Sequence, residues 1–241
     1  MKLNSFYFTN RGGRGENEDC AGSLESAQGG IYVVADGLGG HMHGSRASKC
    51  VTKALLEAWE KSAPAESELA AWLESGIDEA NRKLLQLQEE SHSNMKSTVV
   101  TLAISGGSAV WANTGDSRLY YIHDDRLWKV TEDHSVAYKK YKSGEITRAQ
   151  IATDEDQSCL LKALGNTRRW EPQMYSAPLQ PGDGFMLCSD GMWEYLSDEE
   201  VVIDFLKSSD ARDWAELLLM RVVDRVMPGN DNLTVLTVKG N

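Results

Sequence analysis

The sequence predicts an α+β fold built on antiparallel sheets, and three observations carry that expectation. Apolar runs rich in β-branched and aromatic residues recur along the chain. Helical periodicity fills two long intervals and the C-terminal third. Successive strands are joined by turns as short as Gly106-Gly107 and Asp124-Asp125, which close antiparallel hairpins and leave no room for parallel crossovers.

The strand-like runs are residues 31–35 (IYVVA), 98–105 (TVVTLAIS), 110–113, 118–123 (RLYYIH), 185–189 (FMLCS) and 233–238 (LTVLTV). A helix is expected over 45–61, where Ala47, Val51, Ala54, Leu55 and Trp59 share a face. A second is expected over 66–90, with Leu69, Trp72, Leu73, Ile77, Leu84 and Leu87 as its apolar stripe. Both stripes read as core. Ser197 followed by Glu200 forms a capping box ahead of the apolar run 201–206, and residues 211–227 read as a last helix stopped by Pro228-Gly229.

Composition sets the outer limits. The chain has 241 residues, 41% hydrophobic and 25% charged, enough for a substantial core without staples. Without linker, repeat or low-complexity tract, one domain over 1–241 is expected. A formal net charge of -11 argues against a nucleic-acid binder, which needs a cationic surface facing phosphates. Cys20, Cys50, Cys159 and Cys188 form no C-x-x-C pair and suggest a reducing compartment. No run approaches the ~20 apolar residues of a membrane span, so the expectation is a soluble, cytoplasmic protein.

The chemistry lies in aspartates at strand ends. Asp36 follows IYVVA and precedes Gly37; Asp116 lies in Thr114-Gly115-Asp116-Ser117-Arg118; Asp190 follows FMLCS and precedes Gly191; Asp231-Asn232 precedes the last strand. Each Asp-Gly alone reads most simply as a turn. Together, at one edge of a sheet, they form a cluster that repels itself unless cations sit between its members. Oxygen-only donors select hard ions, Mn²⁺ or Mg²⁺, over zinc. Arg14, four residues before Glu18-Asp19, reads either as part of a charged loop or as a guanidinium fork for phosphate oxygens.

The ordered motifs R-x-x-N-E-D, V-A-D-G-x-G-G-H, T-G-D-S-R, S-D-G-x-W and D-N before a closing strand resemble the bacterial branch of the PPM family, the PP2C-type serine/threonine phosphatases. The resemblance runs from Thr9 to Val238. It implies a four-layer α-β-β-α sandwich with metals at one end, and hydrolysis of phosphoserine and phosphothreonine by a water or hydroxide bridging two ions. It assigns Asp36 to both ions, Asp190 and Asp231 to one, and the Gly37 carbonyl with Glu18 to the other. Asp19 becomes a supporting acid, Asp116 a ligand with Asp190 for a third, weaker ion, and Arg14 the phosphate-binding arginine.

The chain departs from the family pattern at Leu38, where eukaryotic members carry histidine; the proton donor is then either His41, the nearest histidine, or a metal-bound water. Thr9 to Arg14 is one residue shorter than usual, and Met95-Lys96-Ser97-Thr98 stands where relatives often have M-G-T-T. A flap-like segment spans about 133–169, and its Lys139, Lys140, Lys142, Arg148, Arg168 and Arg169 are expected to steer acidic phosphopeptides. The expected partners are phosphorylated proteins, targets of a cognate Ser/Thr kinase, with the chain acting as a monomer. The alternatives are a phosphatase-like regulator without activity and a zinc hydrolase built on His41-Met42-His43.

Overall fold

The computed structural model describes residues 3–26, 29–39, 43–166 and 172–240. The first half of the chain forms β1 (Leu3–Asn10), β2 (Asp19–Ser26), β3 (Gly29–Leu38), α1 (His43–Lys61), α2 (Leu69–Ser91), β4 (Lys96–Ser97), β5 (Val99–Ser105) and β6 (Ser108–Thr114). The second half forms β7 (Arg118–His123), β8 (Arg126–Val130), α3 (Val136–Ser143), β9 (Gln173–Pro178), β10 (Gly184–Cys188), α4 (Asp190–Trp193), α5 (Asp198–Lys207), α6 (Ala211–Val223) and β11 (Leu233–Gly240).

The strands build two antiparallel sheets. One has the order β1-β11-β10-β7-β8; the other runs β2-β3-β5-β6-β9, with β4 extending the end of β3. Alternation of side chains along each strand sorts the apolar residues into layers. Along β3, Ile31, Val33 and Ala35 face outward into a core shared with Val51 and Leu55 of α1 and Leu73 and Ile77 of α2. Tyr32 and Val34 face inward and meet Leu119, Phe185, Leu187 and Leu236 of the opposite sheet. The first sheet turns Met186, Cys188 and Val235 outward onto Phe205 of α5 and Trp214 and Leu218 of α6. The result is the expected α-β-β-α sandwich.

The same alternation positions the site. Residues 32, 34 and 36 share a parity, so Asp36 continues the inward-facing row at the sandwich's end. Its cross-strand partner on β2 is Asp19, in register with it. Two acids thus enter the gap between the sheets side by side.

Several boundaries differ from those read in the sequence. The strand expected over 31–35 continues to Leu38, because β4 supplies Ser97 and Lys96 as partners for Gly37 and Leu38. The helix expected from residue 66 opens with a 3₁₀ turn (Glu66–Glu68) before α2. α6 stops at Val223, four residues short of the expected end, where Arg225 and Val226 both bond back to the Val222 carbonyl at 2.9 Å. β1, β2, β8 and β9 had no clear apolar signal. Among the described residues, no helix is long and apolar enough to cross a membrane.

Candidate metal centre

At one end of the sandwich, Arg14, Glu18, Asp36, Gly37, Asp116, Asp190 and Asp231 line a single cavity of about 380 Å³. Asp36 comes from β3, Asp116 from the β6–β7 connection, Asp190 from the first residue of α4, and Asp231 from the approach to β11. Among the described residues no three of these groups close on one point; they stand around the wall.

Asp36 is held through its backbone. Its N–H donates to Thr98 Oγ1 (2.9 Å), and its carbonyl accepts from Ser97 Oγ (3.0 Å) and Thr98 N (2.8 Å). Thr98 Oγ1 in turn meets Ser117 Oγ at 2.7 Å, which couples β3 to the Asp116 turn. Ser97-Thr98, which stand where relatives often have T-T, are thus the clamp of the Asp36 backbone. Asp19 lies behind the cavity rather than on its wall, 5% exposed, and accepts from Ser189 Oγ at 2.7 Å. Its placement supports Asp36 from the side.

Glu18 sits at the start of α1, where its carboxylate accepts the Gly44 backbone N–H. Its own carbonyl accepts from Gly37 N (3.1 Å) and Ser48 Oγ (2.5 Å). Gly37 and Gly44 approach so closely that a Cβ on Gly37 would stand 1.9 Å from the Gly44 carbonyl oxygen. Asn232 fastens the amino-terminal loop: its Oδ1 accepts from Glu18 N (2.8 Å), and its Nδ2 donates to the carbonyls of Arg11 and Glu16, both at 2.9 Å. The D-N dipeptide was visible in the sequence, but only the fold shows that its second residue is a staple.

The electrostatics are those of an uncompensated acidic basket. Burial, followed by the charges of Asp19, Asp190, Asp116 and Asp231, holds the Asp36 carboxyl well above the usual carboxylate range. Asp190 is raised likewise, by burial and then by Asp116, Glu194 and Asp231. Burial and Asp133 push Asp116 up to about 7, and burial pushes Asp19 up to about 6. Glu194, not singled out from the sequence, is also pushed up to about 7, by burial first and also by the Asp231 charge. Its signal was its position, one helical turn after Asp190. Oxygen donors that cannot all ionise together fit hard divalent cations, which supply the missing positive charge.

Arg14 stands at the cavity mouth, and its Nη2 donates to Asp231 Oδ2 at 2.8 Å. His41 falls within residues 40–42, outside the described residues, as does Met42 of the H-x-H pair. His43, the other member of that pair, opens α1, and the remaining histidines are dispersed: His92 caps α2, His123 pairs with Asp183 at 2.7 Å, and His134 Nδ1 accepts from Gly115 N at 3.2 Å. The zinc reading therefore finds no histidine cluster among the described residues.

The flap cations are largely neutralised. Lys140 pairs with Asp154 and Asp156 (2.9 and 2.8 Å), Lys142 with Glu132 (3.3 Å), and Arg148 with Asp198 (2.7 Å); Arg168 and Arg169 lie outside the described residues. These pairs fasten the segment to itself, to Glu132 and to α5, and among the described residues of the segment Lys139 and Lys162 form no ion pair.

Comparison with known proteins agrees with this geometry. Residues 13–216 match the family described as Protein phosphatase 2C. The chain is 32% identical to the serine/threonine phosphatase stp of Listeria welshimeri, over 99% of this chain and 96% of that protein. It is 29% identical to the protein phosphatase PhpP of Streptococcus pneumoniae, over 88% and 86% respectively. The solved Mycobacterium tuberculosis phosphatase PstP/Ppp superposes with a TM-score of 0.86 at 27% identity, covering 99% of both chains. A structure of the PstP catalytic domain in complex with two manganese ions superposes at 0.85, with 27% identity and 98% and 97% coverage. The order of acids along the chain, their convergence at one end of an α-β-β-α sandwich and these matches have one meaning: the chain belongs to the protein phosphatase 2C family.

Proposed function

We propose that this chain, a metal-dependent protein serine/threonine phosphatase of the bacterial PPM type, works from the acidic cavity at the end of its sandwich. Asp36, Asp190 and Asp231, with Glu18 and the Gly37 carbonyl, are assigned to two Mn²⁺ or Mg²⁺ ions, and Asp116 with Asp190 to a third, weaker one. When bound, such ions neutralise phosphoryl charge and lower the pKa of a water for in-line attack. The chain's own residues do the rest.

Asp19 fixes the orientation of Asp36 across the strand pair. Ser97 and Thr98 hold the Asp36 backbone so that the carboxylate needs no rearrangement during reaction. Arg14 commits one nitrogen to Asp231, and its other donors carry no hydrogen bond among the described residues. That leaves part of the fork for phosphate oxygens. His41 is assigned a supporting role as proton donor to the departing alkoxide.

The observation that supports this reading best is that the carboxylates of Glu18, Asp36, Asp116, Asp190 and Asp231 line one cavity, with Asp19 in register behind Asp36. We place the protein in the cytoplasm as a monomer, a single domain with a flap over about 133–169, acting on phosphoproteins made by a cognate Ser/Thr kinase. Hydrolysis of para-nitrophenyl phosphate and of phosphothreonine peptides tests the activity. It should require Mn²⁺, stop with chelator, and vanish in Asp190→Ala. Activity that survives both treatments overturns the assignment.

A further inference from the structure

A second cavity, about 420 Å³, opens between the flap and α4–α5. Its apolar walls are Ile151 and Ala152 from the flap and Trp193 and Leu196 from the body; Ile151, Trp193 and Leu196 are 1%, 3% and 9% exposed. Three arginines also line it, but each is already engaged. Arg118 is bound to Asp133, Arg148 to both oxygens of Asp198 (2.7 and 2.9 Å), and Arg225 Nη1 to Glu200 Oε2 at 2.7 Å. With those pairs closed, two lining carboxylates have no cation bonded to them: Glu194, whose side chain meets Gln157 of the flap, and the exposed Glu199, which has no bond among the described residues.

The cavity is the neighbour of the metal centre. Asp190 lines one and Glu194 the other, and four residues of helix separate them by about 6 Å along the axis. Gln157 and Ser158 of the flap complete the divider, Ser158 lining the acidic cavity. An extended peptide advances roughly 3.3 Å per residue. A phosphorylated residue seated at the metal centre thus brings its second or third neighbour to the mouth of this cavity.

We propose that this cavity is a specificity subsite of the phosphatase, and that it takes a lysine or arginine side chain two or three residues from the phosphorylated residue. The long methylene stem suits walls of Ile151, Trp193 and Leu196, while the cationic head reaches Glu199 and Glu194. Charge complementarity decides against an acidic occupant. It also reverses the expectation drawn from the flap's basic residues, because Lys140, Lys142 and Arg148 are already paired within the protein. The proposal rests on the phosphatase activity and adds a substrate class to it.

The test is a scan of phosphothreonine peptides carrying lysine, norleucine, alanine or glutamate at each of the three positions on either side. Lysine at one position two or three residues away should raise kcat/KM roughly three- to tenfold over alanine, as expected of a partly screened ion pair with apolar contact. Glu199→Lys should erase that preference, and so should Ala152→Phe, which fills the cavity; both should leave para-nitrophenyl phosphate hydrolysis unchanged. Glu60→Lys, on the exposed face of α1, controls for net charge and should leave the preference intact. A flat scan, norleucine equal to lysine, a preference that survives Glu199→Lys, or equal loss in Glu60→Lys overturns the subsite. Absence of hydrolysis of every peptide and of para-nitrophenyl phosphate would instead overturn the enzyme reading.

Discussion

Arg118 and Asp133 form a two-pronged ion pair behind the metal centre, Nε to Oδ1 at 2.8 Å and Nη2 to Oδ2 at 2.6 Å, with side chains 6% and 0% exposed. The guanidinium also lies 3.5 Å from the centre of the Trp193 ring, and Trp193 Nε1 donates to the Asp116 carbonyl at 2.9 Å. The T-G-D-S-R and S-D-G-x-W motifs meet here at Asp133, and of these residues Asp116 lines the acidic cavity while Arg118, Asp133 and Trp193 stand behind it. Asp133→Asn leaves a buried guanidinium short of its counter-charge, a loss of about 3–5 kcal/mol. Urea denaturation should show that loss, and the double variant Arg118→Met, Asp133→Leu should recover most of it.

Removing metal should expose the repulsion among the acids. Asp19 and Asp116 titrate near 6 and 7 when folded, above the ordinary carboxylate value of about 3.9. The metal-free folded protein therefore keeps protons that the unfolded chain releases, and its stability falls as pH rises from about 4 to about 7. Divalent cations take the place of those protons. Thermal melts should show a larger Mn²⁺-induced rise in Tm at pH 8 than at pH 5.5. Asp190→Asn removes one repelling charge, so it should raise the metal-free Tm at pH 8 by a few degrees while abolishing hydrolysis. A lower metal-free Tm in that variant would mean the acids are not in conflict.

What the sequence made legible follows from how each residue acts. Asp36, Asp116, Asp190 and Asp231 stood out because a carboxylate at the end of an apolar run has no packing role to play there. The roles of Ser97, Thr98, Gly44 and Asn232 were not legible, since each works through a backbone contact with a residue distant in sequence. The strands β5, β10 and β11 were legible because they are buried on both faces. β1 and β8 lie at sheet edges with mixed exposure, and no periodicity survives in them.

Arg14 tests the phosphate clamp. Its side chain is 55% exposed and, among the described residues, bonded only to Asp231, so its removal should leave the melting temperature within a degree or so. Losing charge-assisted hydrogen bonds of about 1.5–3 kcal/mol predicts a fall in kcat/KM of about ten- to 150-fold for Arg14→Ala. Arg14→Lys keeps the charge without the fork and should recover only part of the loss. Full recovery in lysine would reduce the residue's role to net charge.

Gly44 tests the link between backbone packing and metal affinity. A Cβ there would stand 2.4 Å from Glu18 Oε1 and 2.6 Å from the Gly37 carbonyl oxygen, the two groups assigned to one ion. Both must move in Gly44→Ala, whereas Asp36, Asp190 and Asp231 keep their supports. The variant should therefore remain folded and need a higher Mn²⁺ concentration for half-maximal hydrolysis, about tenfold or more, as for disturbed supports around a metal. Its kcat at saturating Mn²⁺ should recover further than that of Asp36→Asn, which removes a donor outright. An unchanged Mn²⁺ requirement in Gly44→Ala would separate Glu18 and Gly37 from the metal centre altogether.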